Sequence, residues 1–181
     1  DITVDIGELV YPESVDIPTY KPTYNGNKRQ IEKAVEAMKK AKKPLLYIGG
    51  GTILSNASDL VRELADKTQI PAVETLMARG VLGAKNPLLL GMLGMHGNYA
   101  SNMAMSETDL VISLGARFDD RVTGKLSEFA KYADIIHVDI DAANIGKLVD
   151  VDYPIVGDIT EVLEAMLPLL DGIDTDRFQA W

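Results

Sequence analysis

Short apolar runs alternating with helix-period segments constrain this chain more than any other feature. Leu45-Leu46-Tyr47-Ile48, Ile70 to Thr75, Leu110 to Leu114, Ile135 to Ile140 and Pro154-Ile155-Val156 read as strands. Mostly apolar strands of this length, separated by helices, belong to a parallel sheet covered on both faces. The first helix is opened by Asn27, with Gln30 as its reciprocal capping partner, and buries Ile31, Ala34, Val35, Met38 and Ala41. A second, capped by Asn56 or Ser58, turns Leu60, Val61, Leu64 and Ala65 inward. Tyr99 to Met105 and Asn144 to Leu148 read as short helices, and Leu88 to Met95 as a shaped loop. Asp158 and Glu161 form a capping box before a last helix carrying Val162, Leu163, Met166, Leu167 and Leu170. Right-handed crossovers then make the expected fold α/β, a doubly wound parallel sheet of five or six strands with helices on both faces.

Composition narrows the function. The 181 residues are enough for one domain with a real core. A net charge of -9 argues against nucleic acid and anionic membrane surfaces as partners. With no cysteine, disulfides, thiolate catalysis and cysteine-ligated metals are excluded. There is no run of 18 apolar residues and no signal-like N-terminus, so the cytoplasm is the expected location. Residues 1–24 are acidic, proline-containing and aperiodic, and read as a linker. Residues 25–171 make the domain, and 172–181 read as the start of a second linker. The natural chain is expected to continue.

The run Gly115-Ala116-Arg117-Phe118-Asp119-Asp120-Arg121-Val122-Thr123-Gly124 follows the Leu110–Leu114 strand. Ligands of open α/β sheets bind outside the carboxyl ends of the strands. Arginine there suits a phosphate, which it grips with parallel hydrogen bonds. The alternative is an Arg–Asp ion-pair loop. Gly49-Gly50-Gly51 also lies between a strand and a helix, and either receives a phosphate or makes a tight turn. Leu54 stands where the dinucleotide fingerprint needs glycine, and no Gly-Lys-Ser/Thr follows. A dehydrogenase NAD domain is therefore disfavoured.

Gly91-Met92-Leu93-Gly94-Met95-His96-Gly97 can line a flat ligand or pack beneath a neighbouring domain. Asp139 and Asp158 end strands and suit ribose or adenine contacts, with helix capping the competing reading, stronger for Asp158. His137 reads as a satisfied structural histidine. Lys39, Lys40, Lys42 and Lys43 read as a helix end rather than a basic patch. Asp119 and Asp120 lack a third ligand for a metal. No catalytic residue and no metal ligand is assigned.

Taken together, Tyr47 to Gly51, Met92 to Gly97, Gly115 to Gly124, His137 to Asp141 and Val156-Gly157-Asp158 resemble the central domain of the acetohydroxyacid synthase (acetolactate synthase) large catalytic subunit. The likeness covers about residues 10–170. The Arg-Phe-Asp-Asp-Arg and Met-Leu-Gly-Met-His-Gly runs are specific to that family. The resemblance implies a Rossmann-like, DHS-like NAD/FAD-binding fold that holds extended FAD. Gly49, Gly50 and Gly51 would line the ADP portion. Thr75, Leu76, Gly94, Met95 and His96 would lie along the ribityl and flavin end. Gly115, Ala116, Arg117, Asp119, Arg121 and Val122 would wrap the phosphates and ribityl chain. Asp139, Ile140 and Asn144 would take the ribose, and Gly157, Asp158 and Ile159 the adenine.

The family condenses pyruvate with a second 2-oxoacid on the route to branched-chain amino acids, and its FAD takes no net redox part. Thiamine diphosphate and Mg2+ would be held by N- and C-terminal domains absent from this sequence. A homo-oligomer of catalytic subunits and a regulatory small subunit are the implied partners. The stretch in hand is expected to be inactive by itself. A non-catalytic scaffold with a vestigial nucleotide cleft is the alternative.

Overall fold

The structure is a computed structural model that describes residues 11–181. The part of the expected first linker that falls on residues 1–10 lies outside the described residues. Residues 11–24 carry no helix or strand and are largely exposed.

Six strands form one parallel sheet: β1 (Pro44–Ile48), β2 (Ala72–Glu74), β3 (Leu89–Met92), β4 (Leu110–Leu114), β5 (Asp134–Asp139) and β6 (Tyr153–Val156). Their spatial order is β3-β2-β1-β4-β5-β6, with every neighbouring pair parallel. The chain runs outward to one edge, returns, and runs outward to the other. Strand order reverses between β1 and β4, which is where doubly wound sheets bind ligands.

Helices α1 (Lys28–Lys40), α3 (Ser58–Thr68) and α6 (Ile159–Met166) cover one face. Ile31, Val35, Met38, Val61, Leu64, Val162 and Met166 pack there against Leu46, Ile48, Ile112, Leu114 and Ile136. The intervening strand positions Leu45, Tyr47, Val73, Val111 and Ile135 face the other side. There they meet Ala104 and Met105 of α4 (Tyr99–Glu107) and the buried Phe118. Two one-turn helices, α2 (Gly51–Leu54) and α5 (Asp120–Thr123), follow β1 and β4. Both sheet faces are thus dry, as the apolar runs required.

Several expectations need correction. Leu88 to Met95 is not only a loop: Leu89–Met92 pairs with β2 as the sixth, edge strand. Gly91, at φ +121, sits where the register slips, so the alternation that marks a strand is broken there. Asn144 to Leu148 forms turns rather than a helix. Asp139 accepts from the Asp141 N–H at 2.8 Å and Asp141 from the Ala143 N–H at 2.9 Å, and such side-chain bonds compete with helix formation. Neither Asn56 nor Ser58 caps α3. Asn56 adopts φ +57 between α2 and α3, and Ala57 takes the cap position without a side-chain bond.

The Asp158 box is half formed. Its carboxylate accepts from the Thr160 N–H at 2.9 Å, while its own N–H goes to the Tyr24 carbonyl at 2.7 Å instead of Glu161. His137 is fully buried, but neither ring nitrogen has a hydrogen-bond partner among the described residues, so it is structural without being satisfied. Asn27 does cap α1, accepting from the Gln30 N–H at 3.3 Å.

The lysines at the end of α1 behave as a helix terminus. Lys39 lies 4.0 Å from Glu36 and Lys43 lies 3.4 Å from Glu107. The Asp109 carboxylate accepts from the Lys42 and Lys43 N–H groups at 2.8 and 2.9 Å, tying the start of β4 to the start of β1. Residues 172–181 pack back on this same edge. Phe178 is buried, the Trp181 indole donates to the Pro44 carbonyl at 2.9 Å, and Arg177 donates to the Met38 carbonyl at 2.8 Å.

Candidate functional site

At the carboxyl ends of the strands the chain leaves the sheet six times, and the six exits enclose a trough of about 950 Å³. That lies at the upper end of the ~300–1,000 Å³ range of small-molecule and cofactor sites. Its centre is the reversal point of the strand order. There the Gly49 N–H donates to the Leu114 carbonyl at 2.9 Å and the Gly51 N–H to the Gly115 carbonyl at 3.2 Å. The two loops touch backbone to backbone. A Cβ on Gly49 would lie 2.1 Å from the Gly115 oxygen, and one on Gly115, itself at φ +66, would lie 2.7 Å from the Gly51 Cα. Without side chains of their own, these glycines let the two backbones meet, with Ile159 packed against Gly115.

Of the residues that the resemblance assigns to FAD, all line this trough except Gly49 and Gly94, which lie just beneath its wall. Gly94, at φ +100, is buried against the Arg121 carbonyl, which a Cβ would approach to 2.7 Å. Met92 and Leu93 of the Gly91–Gly97 run line it too, while the sequence reading assigned no ligand contact to Tyr47, Ile53, Leu54, Ser55, Met77 and Asp141, which also line it. Met77 packs directly over Gly50, whose Cβ would meet it at 2.9 Å. Only a one-turn helix at Leu76–Ala78 brings Met77 there, and nothing in its local sequence marks it.

Both arginines of the trough come from the segment after β4. The guanidiniums of Arg117 and Arg121 make no hydrogen bond or ion pair among the described residues. Asp119 instead caps α5, accepting from the Arg121 N–H at 3.0 Å. That bond, with the neighbouring arginines, holds the Asp119 carboxyl below the ordinary range. The ion-pair reading of this loop is therefore not what the chain adopts: the aspartate is spent on backbone and the guanidiniums stay available.

At the end of the neighbouring strand, β5, Asp139 is almost fully buried. It accepts from the Asp141 N–H, and its second oxygen lies 3.4 Å from the Asn144 amide and 3.8 Å from His137 Nε2. Burial pushes His137 below the usual imidazole value, and the Asp139 carboxylate opposes that shift. The Thr75 hydroxyl at the rim is shielded from solvent and has no partner among the described residues.

Beneath the wall, Glu74 is fully buried at the end of β2. Its carboxylate accepts from the Leu82 N–H at 3.1 Å and the Gly80 N–H at 3.4 Å, fastening the loop that carries Leu76 and Met77. Around the mouth Leu54, Leu76, Met77 and Met95 are each more than two-thirds exposed, a collar of apolar side chains. Among the described residues no group of three His, Cys, Asp or Glu side chains is placed to hold a metal ion. Among them, too, no helix is long and apolar enough to cross a membrane.

Comparison with known proteins agrees with this architecture. The family model described as thiamine pyrophosphate enzyme, central domain, matches residues 31–166. The chain is 51% identical over 161 residues to the acetolactate synthase large subunit of Porphyra purpurea, covering 89% of this chain and 27% of that protein. It is 48% identical over 176 residues to the large subunit of Corynebacterium glutamicum, covering 96% and 28%. It is 44% identical over 181 residues to a probable acetolactate synthase large subunit of Methanocaldococcus jannaschii, covering 100% and 31%. The chain thus spans less than a third of these relatives.

Proposed function

The chain belongs to the central-domain family of thiamine pyrophosphate enzymes, and on that premise we propose that its trough holds FAD within an acetolactate synthase large subunit. One observation carries the reading: Arg117 and Arg121, whose guanidiniums have no partner among the described residues, stand beside close-packed glycine backbone at the sheet's reversal point. A diphosphate needs both a close backbone approach and fixed positive charge. The site fits the rest of the molecule as well. The unpartnered Thr75 hydroxyl and the long apolar wall of Leu76, Met92 and Met95 suit the flavin half, and Asp139 with Asn144 suits ribose hydroxyls. Gly157, Asp158 and Ile159, which line the same trough, would take the adenine.

In this role FAD supplies no net redox step. The chain's own residues bind and orient it: Arg117 and Arg121 neutralise its diphosphate, and the glycine backbone admits it. The parent would condense pyruvate with pyruvate or 2-oxobutyrate, with thiamine diphosphate and Mg2+ held by the domains that flank these residues. Further copies of the same catalytic subunit and a regulatory small subunit would complete that assembly. No residue of the trough forms a nucleophile–base or acid–base pair, so the chain by itself is expected to be catalytically silent.

A second reading, a scaffold without cofactor, draws on the exposed collar of Leu54, Leu76, Met77 and Met95, which suits contact with the rest of a longer chain. One titration separates the two. FAD added to the purified chain should give a red-shifted flavin band and changed fluorescence. An unaltered flavin spectrum with folded protein at on the order of 10 µM or more leaves the scaffold reading alone.

A further inference from the structure

Phe118 holds φ +53, a backbone region that a bulky aromatic residue enters only at a cost. Such outliers persist where the surroundings over-determine them, and they gather at ligand clamps. The surroundings here are specific. Phe118 is 1% exposed and meets Tyr47, Phe129 and His137 edge-on, with ring centroids at 5.5, 5.9 and 5.0 Å. Its neighbours Arg117 and Asp119 are exposed on the trough wall.

Hydrogen bonds hold the loop at its two ends, where the Gly51 N–H reaches the Gly115 carbonyl and the Met95 N–H the Arg121 carbonyl. The Gly115 N–H donates to the Val138 carbonyl, and the next engaged amides are Arg121 and Val122, both bonded to Asp119. Between them the backbone amides of residues 116–120 donate to no acceptor among the described residues. Burial of Ala116 and Phe118 is what fixes this stretch. The left-handed bend at Phe118 then turns the chain so that Asp119 caps α5 and Arg121 returns to the trough.

We propose that Phe118 is a positioning residue: its ring, locked among Tyr47, Phe129 and His137, holds the strained bend that aims Arg117 and Arg121 at an anionic ligand. The ordering of the loop follows from this chain alone. That the anion is a diphosphate rests on the FAD reading. Pre-ordering two long cationic side chains removes an entropic cost that binding would otherwise meet.

The test compares Phe118→Gly, which tolerates the bend but has no ring, with Phe118→Leu, which keeps an apolar anchor. Without ligand, trypsin should cut Phe118→Gly after Arg117 and Arg121 about tenfold faster than the unaltered chain, with its other sites little changed. Phe118→Leu should recover most of that protection. FAD affinity should fall about tenfold in Phe118→Gly, while riboflavin, which lacks the diphosphate, should bind as before.

Uniform acceleration at every tryptic site, or equal losses for FAD and riboflavin, would mean general destabilisation and overturn the proposal. Unchanged cleavage would overturn it too. If Phe118→Gly does not fold, Phe118→Leu carries both comparisons, with smaller shifts in the same direction. Failure of the unaltered chain to bind FAD strikes the cofactor reading only, because the proteolysis result stands apart from it.

Discussion

The side-chain amide of Asn102 clasps the peptide groups of Gly94 from both sides, accepting from its N–H at 3.1 Å and donating to its carbonyl at 3.1 Å. Gly94 in turn lies against α5, and the next residue, Met95, donates its N–H to the Arg121 carbonyl at 2.9 Å. One amide on α4 therefore ties the methionine-rich wall of the trough to the arginine wall. Asparagine alone among side chains of its length both donates and accepts with a planar group.

Asn102→Leu removes both bonds and leaves the buried Gly94 N–H unpaired, at a cost of about 1–3 kcal/mol. Urea unfolding should show that loss. Asn102→Asp keeps the acceptor but loses the donor, so it should fall between the two. An Asn102→Leu chain as stable as the unaltered one would remove Asn102 from the wall's architecture.

The guanidiniums of Arg117 and Arg121 form no hydrogen bond or ion pair among the described residues. Replacing either with alanine should leave stability within about 0.5 kcal/mol. FAD affinity should nonetheless fall about tenfold or more for each, the scale of a lost charge-assisted bond. Raising ionic strength should weaken the unaltered chain more than the variants. Thermal unfolding with a parallel FAD titration checks both halves. A large loss of melting temperature would mean that the guanidiniums serve structure after all.

Gly49 has no room for a methyl group, because the Gly115 carbonyl and the Ala116 Cα stand 2.1 and 2.5 Å from where it would go. Gly49→Ala must push apart the two loops at the centre of the sheet. It should cost about 3 kcal/mol, the upper end of overpacking effects, and be read out as a lowered urea midpoint. Retention of full stability would show that the loops separate freely.

His137 makes stability depend on pH. Its folded form resists protonation because burial disfavours the charge, whereas the unfolded imidazole binds a proton near pH 6.5. The unfolded state therefore binds more protons as pH falls through that value, and stability drops until the lowered folded value is reached. Asp119 has the opposite arrangement: its lowered folded value contributes stability above about pH 3.9 that is lost only below it. Between pH 7 and 5 the chain should lose more stability than His137→Leu does. Parallel curves for the two proteins across that interval would refute the assignment.

Much of this was legible in the sequence because it is local. Apolar runs of strand length, helical spacing of Ile31 to Ala41 and Val162 to Leu170, and glycine at strand ends depend on neighbours a few residues apart. They determined a doubly wound parallel sheet and placed a charged, glycine-rich rim at its carboxyl edge. The recurrent glycine, arginine and aspartate positions of that rim were readable for the same reason.

What the tertiary structure alone decided depends on residues far apart in the chain. Leu89–Met92 becomes a strand only because β2 offers it an edge, despite Gly91 breaking its pattern. Gly49 and Gly94 serve backbone packing rather than the trough itself, since the atoms that crowd them come from Gly115 and Arg121. Asn102 and Glu74 carry no motif, yet each fastens a trough wall, and the run containing Phe118 does not reveal its buried ring partners Tyr47, Phe129 and His137. Periodicity records which face a residue prefers; it cannot record which distant backbone group waits there, and that pairing is settled only when burial and hydrogen bonding are satisfied together.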